Sequence, residues 1–313
     1  MPLRIEDYAL IGDTQTVALV GRDGSIDWAC FPRFDSGPCF AALLGTRDNG
    51  RWSIAPRTPA RAVRRRYLPG TLILETEITS DHGILRLTDF MPVRGRTPDI
   101  VRIVECIAGE VEVEFELVIR FDYGQAIPWV RRSDHVLTAV AGPDAICLRG
   151  DLDVHGEDMA TVGRWKLRQG DRKSFVCTWY PSNDQPPRAL DCALELDRAR
   201  RWWLKWSGRC RYDGPYRDAV LQSLIVLKAL TYGPTGGIVA AATTSLPEWP
   251  GGVRNWDYRY CWVRDATLTI YALMIAGYRH EAVAWRDWLL RSVAGDHDGM
   301  QIMYGVGGER RLP

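Results

Sequence analysis

The sequence has no C-x-x-C pair, no Walker loop, no dinucleotide glycine fingerprint and no G-x-S-x-G elbow. Zinc ribbons, dithiol redox motifs, phosphoryl transfer, hydride transfer and serine-esterase chemistry therefore lack their usual sequence support. Its eight cysteines, at 30, 39, 106, 147, 177, 192, 210 and 261, are scattered, as expected for reduced, buried small hydrophobes. No apolar run approaches the ~20 residues of a membrane span. The amino terminus, Met1 to Tyr8, carries charges where a secretion signal needs an apolar segment, which predicts a cytoplasmic protein. Net charge is nearly absent as well: 40 Lys and Arg against 39 Asp and Glu give +1. No global field favours nucleic acid or an anionic membrane, and neither is expected as a partner. The one basic run, Arg64-Arg65-Arg66, reads as a solvated strand edge. His155-Gly156-Glu157 resembles half of a zinc-deaminase signature, but the P-C-x-x-C half is missing. Asp296-His297-Asp298 reads as a charged connection, so no metal and no cofactor is expected.

What is present describes an ordinary globular chain. Its 313 residues, 46% hydrophobic and 25% charged, exceed the size at which one core keeps growing, so two domains are predicted. From about Leu72 to Tyr180 the pattern alternates. Val111, Val113, Phe115, Leu117, Ile119 and Phe121 fall on one face, and Glu112, Glu114, Glu116 and Arg120 on the other, with Val118 the single breach. Leu72–Ile78, Leu85–Phe90, Val101–Ile107, Val136–Val140, Ala145–Arg149 and Ser174–Tyr180 have the same character. Val20 to Trp28 reads as a hairpin turning at Arg22–Gly24, and Phe40–Leu44 as a short helix. Pro181 to Pro187, with three prolines, is a linker by composition. Beyond it the period becomes helical over Ala189–Ser207, Pro215–Tyr232, Arg264–Ala276 (ended by Gly277) and His280–Ala294 (ended by Gly295). The second of these carries apolar residues on most sides and should be buried. The expected architecture is an antiparallel β-sandwich over 1–187 followed by an all-α domain over 188–313.

Residues 254–265, Arg-Asn-Trp-Asp-Tyr-Arg-Tyr-Cys-Trp-Val-Arg-Asp, interleave four aromatic rings with five charged side chains. Sugars ask for both, rings for their C–H faces and charged groups for their hydroxyls. Eight of the 13 tryptophans lie after position 200. Trp202, Trp203, Trp285 and Trp288 sit at helical spacing and are expected to fill a core, whereas Trp256 and Trp262 lie between helices. The long connection Gly233–Gly252 is either functional or a plain surface loop. Glycosidic cleavage needs two carboxyl groups flanking the bond. Glu248, Asp257, Asp265, Glu281 and Glu309 are the nearby candidates, and sequence pairs no two of them.

Gly251 to Asp265 closely resembles glycoside hydrolase family 15, the glucoamylase and bacterial trehalase group. Leu10–Asp13, Gly21–Trp28, Pro32–Ser36, Leu87–Pro92 and Arg120–Gly124 resemble the trehalase-like amino-terminal domain found there. The resemblance implies a β-sandwich joined to an (α/α)6 barrel and hydrolysis of α-linked glucosides with inversion. It implies Arg264 and Asp265 as clamps on hydroxyls of the terminal glucose and Tyr258 and Trp262 as ring contacts. Trp256, Asp257 and Arg259 would line the same pocket. The acid and base glutamates are expected beyond Pro313, so no catalytic residue is identified within the chain. The expectation is an amino-terminal portion with an incomplete barrel and little turnover of its own on trehalose or maltooligosaccharides. A non-catalytic carbohydrate-binding remnant and a support module for a separate catalytic half are the alternatives. Oligomeric state is left open.

Overall fold

The computed structural model describes residues 2–133, 136–294 and 299–312. Among them, fifteen strands form one hydrogen-bonded antiparallel network, and four α-helices follow. The network folds into two facing layers because one strand belongs to both. Sequence alternation predicts separate strands over 101–107 and 111–121; the structure instead has a single strand, Asp99–Val118. Its first half pairs with Gly83–Phe90 and Arg172–Pro181. Its second half pairs with Arg51–Pro56 and Ala160–Arg168. The bend falls at Gly109, whose φ of +68° is open to glycine and strained for other residues. A Cβ there would also collide with the His82 carbonyl oxygen.

The alternation does what its period requires. Val111, Val113, Phe115 and Leu117 are buried, while Glu110, Glu112, Glu114 and Glu116 face outward. There they pair with Lys166, Arg57, Arg164 and Arg47. Between the layers, Phe115 meets Phe175 with ring centres 5.4 Å apart, and Trp165 stacks on Phe175 at 5.3 Å. The hairpin of Val17–Gly21 and Ser25–Cys30 turns where expected. The arginine run lies on Ala62–Tyr67, a strand paired on one side only among the described residues. Two expectations need correction. Phe40–Leu44 is helical only in part: Phe40 ends a short strand, Pro38–Phe40, and a single 3-10 turn follows at Ala42–Leu44. Ala160–Arg168, absent from the expected strands, pairs along its length with the shared strand.

Helix α1 spans Cys192–Ser207 and starts later than predicted because Asp191 caps it, accepting from the Ala193 and Leu194 amides at 3.0 and 3.1 Å. Helix α2, Arg217–Ala229, also starts late, after Tyr216 in a left-handed conformation (φ 65°). Leu224, Ile225 and Ala229 are buried in it, Val220, Leu221, Val226 and Leu227 are half-buried and Ala219 is exposed, so it is less enclosed than expected. Helix α3 is Val263–Ile275, followed closely by Gly277 at φ +97° as expected, and α4 is Arg279–Ser292. Gly295 and Asp296-His297-Asp298 lie outside the described residues. Trp203 and Trp288 are fully buried and Trp202 and Trp285 half-buried, in the expected core role. All eight cysteines are free thiols, six of them buried.

The helices rest directly on the strands. Ala199 of α1 packs with Ile73, Phe90, Ile103 and Val176. Val17 and Phe34 share a cluster with Trp288 and Tyr304. No described helix is long and apolar enough to cross a membrane. One face of α3, with Leu268, Tyr271, Met274 and Ile275, is more than half exposed, while Ala266, Ile270 and Leu273 on the opposite side are buried.

Candidate functional site

The segment 254–265 is held by its neighbours on both sides. Residues 240–245 run beside 256–260, with Ala241 N–H donating to Tyr258 O at 2.8 Å and Ser245 N–H to Trp256 O at 2.9 Å. Cys261–Trp262 then pairs with Met303–Tyr304, and α3 begins at the next residue. The end of this short ribbon and the first turn of α3 thus present their side chains together.

Four predicted residues meet there. The Arg264 guanidinium donates to Asp265 Oδ2 from Nε at 3.2 Å and from Nη2 at 3.0 Å, and to the Tyr258 hydroxyl at 3.2 Å. It also lies 5.9 Å from the centre of the Trp262 ring. Tyr258 and Trp262 contact edge to face at 5.4 Å, and Trp256 reaches Trp262 at 6.5 Å. The Tyr258 hydroxyl and the Asp265 carboxylate hold the Arg264 pKa above its ordinary value. Its side chain is 65% exposed and that of Asp265 25%, so donors and acceptors face solvent beside aromatic rings. Trp256 is half-exposed and donates from Nε1 to Glu248 at 3.3 Å.

Asp257 and Arg259 turn the other way, toward the strand layers. Arg259 is 6% exposed. Its Nη2 donates to Asp257 Oδ2 at 2.6 Å and to the Tyr123 hydroxyl at 2.7 Å, and its Nη1 to Ser36 O at 2.9 Å. The guanidinium sits 5.8 Å from both the Trp28 and Tyr123 rings. Burial opposes its charge, and the Asp257 carboxylate outweighs burial and raises its pKa. Asp257 also reaches the exposed cluster, because its carbonyl accepts from Trp262 Nε1 at 2.9 Å. These two residues therefore tie the cluster to the strands rather than line it. Trp28, Ser36 and Tyr123 were not singled out from sequence as site residues. The available signal was that each ends or sits within a segment carrying the family resemblance: 21–28, 32–36 and 120–124.

Of the remaining carboxylates, Glu281 and Glu309 are committed elsewhere, and Glu248 stays beside Trp256. Glu281, 4% exposed, meets Lys228 Nζ at 3.1 Å and Trp206 Nε1 at 2.8 Å. Burial opposes its charge, but the Lys228 ammonium and the indole hold its pKa below the usual value. Glu309 binds Arg33 at 3.0 Å, and Glu248 lies exposed, 3.9 Å from Arg254. No grouping of three or more metal-ligating side chains occurs among the described residues.

This geometry defines a strand-layered region docked on helices, with an aromatic and charged cluster at the junction. Residues 1–156 match the family model described as trehalase-like, N-terminal, and residues 214–313 match glycosyl hydrolases family 15. The trehalase of Mycobacterium tuberculosis is 34% identical over 98% of this chain and 50% of its own length. The trehalase of Thermoplasma volcanium is 32% identical over 89% of the chain and 46% of its own. A bacterial glucoamylase solved in complex with acarbose matches in structure with a TM-score of 0.71 at 12% identity, over the whole chain and 53% of the neighbour. The chain belongs to glycosyl hydrolase family 15, with a trehalase-like amino-terminal region. It spans about half the length of the curated relatives it matches.

Proposed function

We propose that this chain forms the strand-layered domain and opening barrel helices of an inverting α-glucosidase acting on trehalose or a maltooligosaccharide. Tyr258, Trp262, Arg264 and Asp265 form part of the pocket for the terminal glucose. The observation that carries this reading is the meeting of one exposed guanidinium, one carboxylate and two aromatic rings at the start of α3. A planar donor fork beside a two-oxygen acceptor suits neighbouring hydroxyls, and an indole face suits the ring they belong to. Asp257, Asp265, Glu281 and Glu309 are already engaged by bases of this chain, which leaves the exposed Glu248 with no second free carboxylate among the candidates to pair with it. That supports an acid and base glutamate contributed by sequence outside it, and the exposed face of α3 supports further helices packing there to complete an (α/α)6 barrel. The same face favours a second reading, a support module on which a separate catalytic half docks; restored hydrolysis on mixing with that half would establish it.

Calorimetric titration of the chain with trehalose and maltose tests the pocket. Binding that disappears in Arg264→Ala and Asp265→Ala is expected. Absence of binding to either sugar, or undiminished binding in both variants, would overturn the assignment. Little or no turnover of trehalose, maltose or p-nitrophenyl α-glucoside is expected from the chain alone.

A further inference from the structure

A cavity lies away from the 254–265 cluster. It has a volume of about 550 Å³ and opens where the two strand layers come to an edge. On one side is Trp129–Ser133, which among the described residues pairs only with Val136–Ala141; on the other is His155–Glu157, which among them pairs only with Ala160–Arg168. Leu117, Ile119, Leu137 and Val154, all buried, form its walls. Ile127, Trp129 and Met159 stand around its mouth, 55%, 76% and 66% exposed.

Two guanidiniums line this apolar space. Arg120 is 8% exposed; its Nη1 donates to Ile119 O at 2.8 Å, and both terminal nitrogens donate to Met159 O at 3.3 Å. Arg132 donates to the Leu152 carbonyl at 2.9 Å and to that of Val154. Among the described residues, no carboxylate lies within ion-pair distance of either. Asp48 acts on Arg120 only through space, and burial weakens the charge of that guanidinium. The acidic groups at the cavity are Asp158 and Glu157, and Glu157 lies 3.5 Å from His155 Nε2. The rim residues Asp158 and Met159 both have positive φ, 46° and 60°. They form the two-residue turn that joins His155–Glu157 to Ala160–Arg168, a hairpin geometry that takes positive φ at both positions.

We propose that this cavity binds a small amphipathic anion, a carboxylate or phosphate head on an apolar body. The head sits at Arg120 and Arg132 and the body lies along the Leu117, Ile119 and Leu137 wall. Neutral carbonyls satisfy donor geometry but leave positive charge uncompensated, which an anion corrects. The volume is that of a small-molecule site, roughly 300–1,000 Å³. This site is independent of the sugar-type cluster and does not rest on it.

The test is titration of the chain with 8-anilinonaphthalene-1-sulfonate, followed by displacement with octanoate, octyl phosphate and octanol. Saturable binding at one site is expected, displaced by one or both anions and not by the alcohol at equal concentration; the stronger anion identifies the head group. Arg132→Gln and the exposed-rim variant Ile127→Asp should each weaken binding at least tenfold, with unchanged circular dichroism. Leu268→Asp, on the exposed face of α3, should leave it intact. Displacement by octanol as effective as by the anions, absence of probe binding, or binding lost in Leu268→Asp but kept in Arg132→Gln and Ile127→Asp would overturn the proposal.

Discussion

Replacing Arg259 by alanine removes the most heavily bonded side chain between the helical region and the strand layers. Three losses follow. Asp257 keeps its charge without a partner; truncating one member of a buried pair costs roughly 3–5 kcal/mol. The Asp257 side chain is 34% exposed, so solvent screens it and the lower end applies. The Ser36 carbonyl and Tyr123 hydroxyl lose a charged donor, adding about 1 kcal/mol. The expected sum is about 4 kcal/mol, a large share of the ~5–15 kcal/mol that holds a domain folded. Urea unfolding followed by circular dichroism would read it, with Asp257→Asn costing less because that amide can still accept from the guanidinium. Hydrogen exchange over 256–262 should quicken in Arg259→Ala, since Trp262 Nε1 is anchored on the Asp257 carbonyl. A destabilisation below about 1 kcal/mol would refute the view that this side chain clamps the two regions together.

Arg264→Ala should do the opposite: its side chain is 65% exposed, so stability should stay within about 0.5 kcal/mol while sugar affinity is lost; a comparable drop in both would mark it as structural. Asp99, half-buried beside Thr178, has its carboxyl pushed up to about 6 by the loss of surrounding water. The folded protein therefore holds that proton over a range where the unfolded chain has released it, and stability falls as pH rises from about 4 to 6. Asp99→Asn should flatten this stretch of the stability profile and raise stability at pH 7, as read by denaturant midpoints; an unchanged slope would count against the assignment. Gly109→Ala should cost more than the ~1–2 kcal/mol of left-handed backbone alone, because the added methyl meets the His82 carbonyl; thermal unfolding at normal midpoint would contradict it.

Period and composition made much of this molecule legible. The glutamates at 112, 114 and 116 announced an outer face, and Gly277 announced the end of α3. Alternation could not tell that the runs at 101–107 and 111–121 were one strand, because a bend at a single glycine leaves the period of each half intact. Helix starts were misplaced where a cap decided them, as at Asp191. Within 254–265 the residue types were readable, but the side to which each turned was not. Asp257 and Arg259, two apart in an extended segment, share a side that faces the strands, and their partners Ser36 and Tyr123 lie more than 130 positions away in sequence. No local pattern carries such a contact.

The strand Asp99–Val118 has a consequence for how this region can change over generations. Because side chains alternate with a period of two, losing or gaining one residue in a strand exchanges its inner and outer faces. Here such an event between Gly109 and Val118 would turn Val111, Phe115 and their neighbours outward, or bring glutamates inward, and would do so against the partner strands on both sides, Arg51–Pro56 and Ala160–Arg168. The strand behaves like the spine of a bound book: pages may be added or removed between the outer strands and at their turns, but within the spine an extra residue fits only at a bulge, as Ile107 does opposite Ile84 and Leu85.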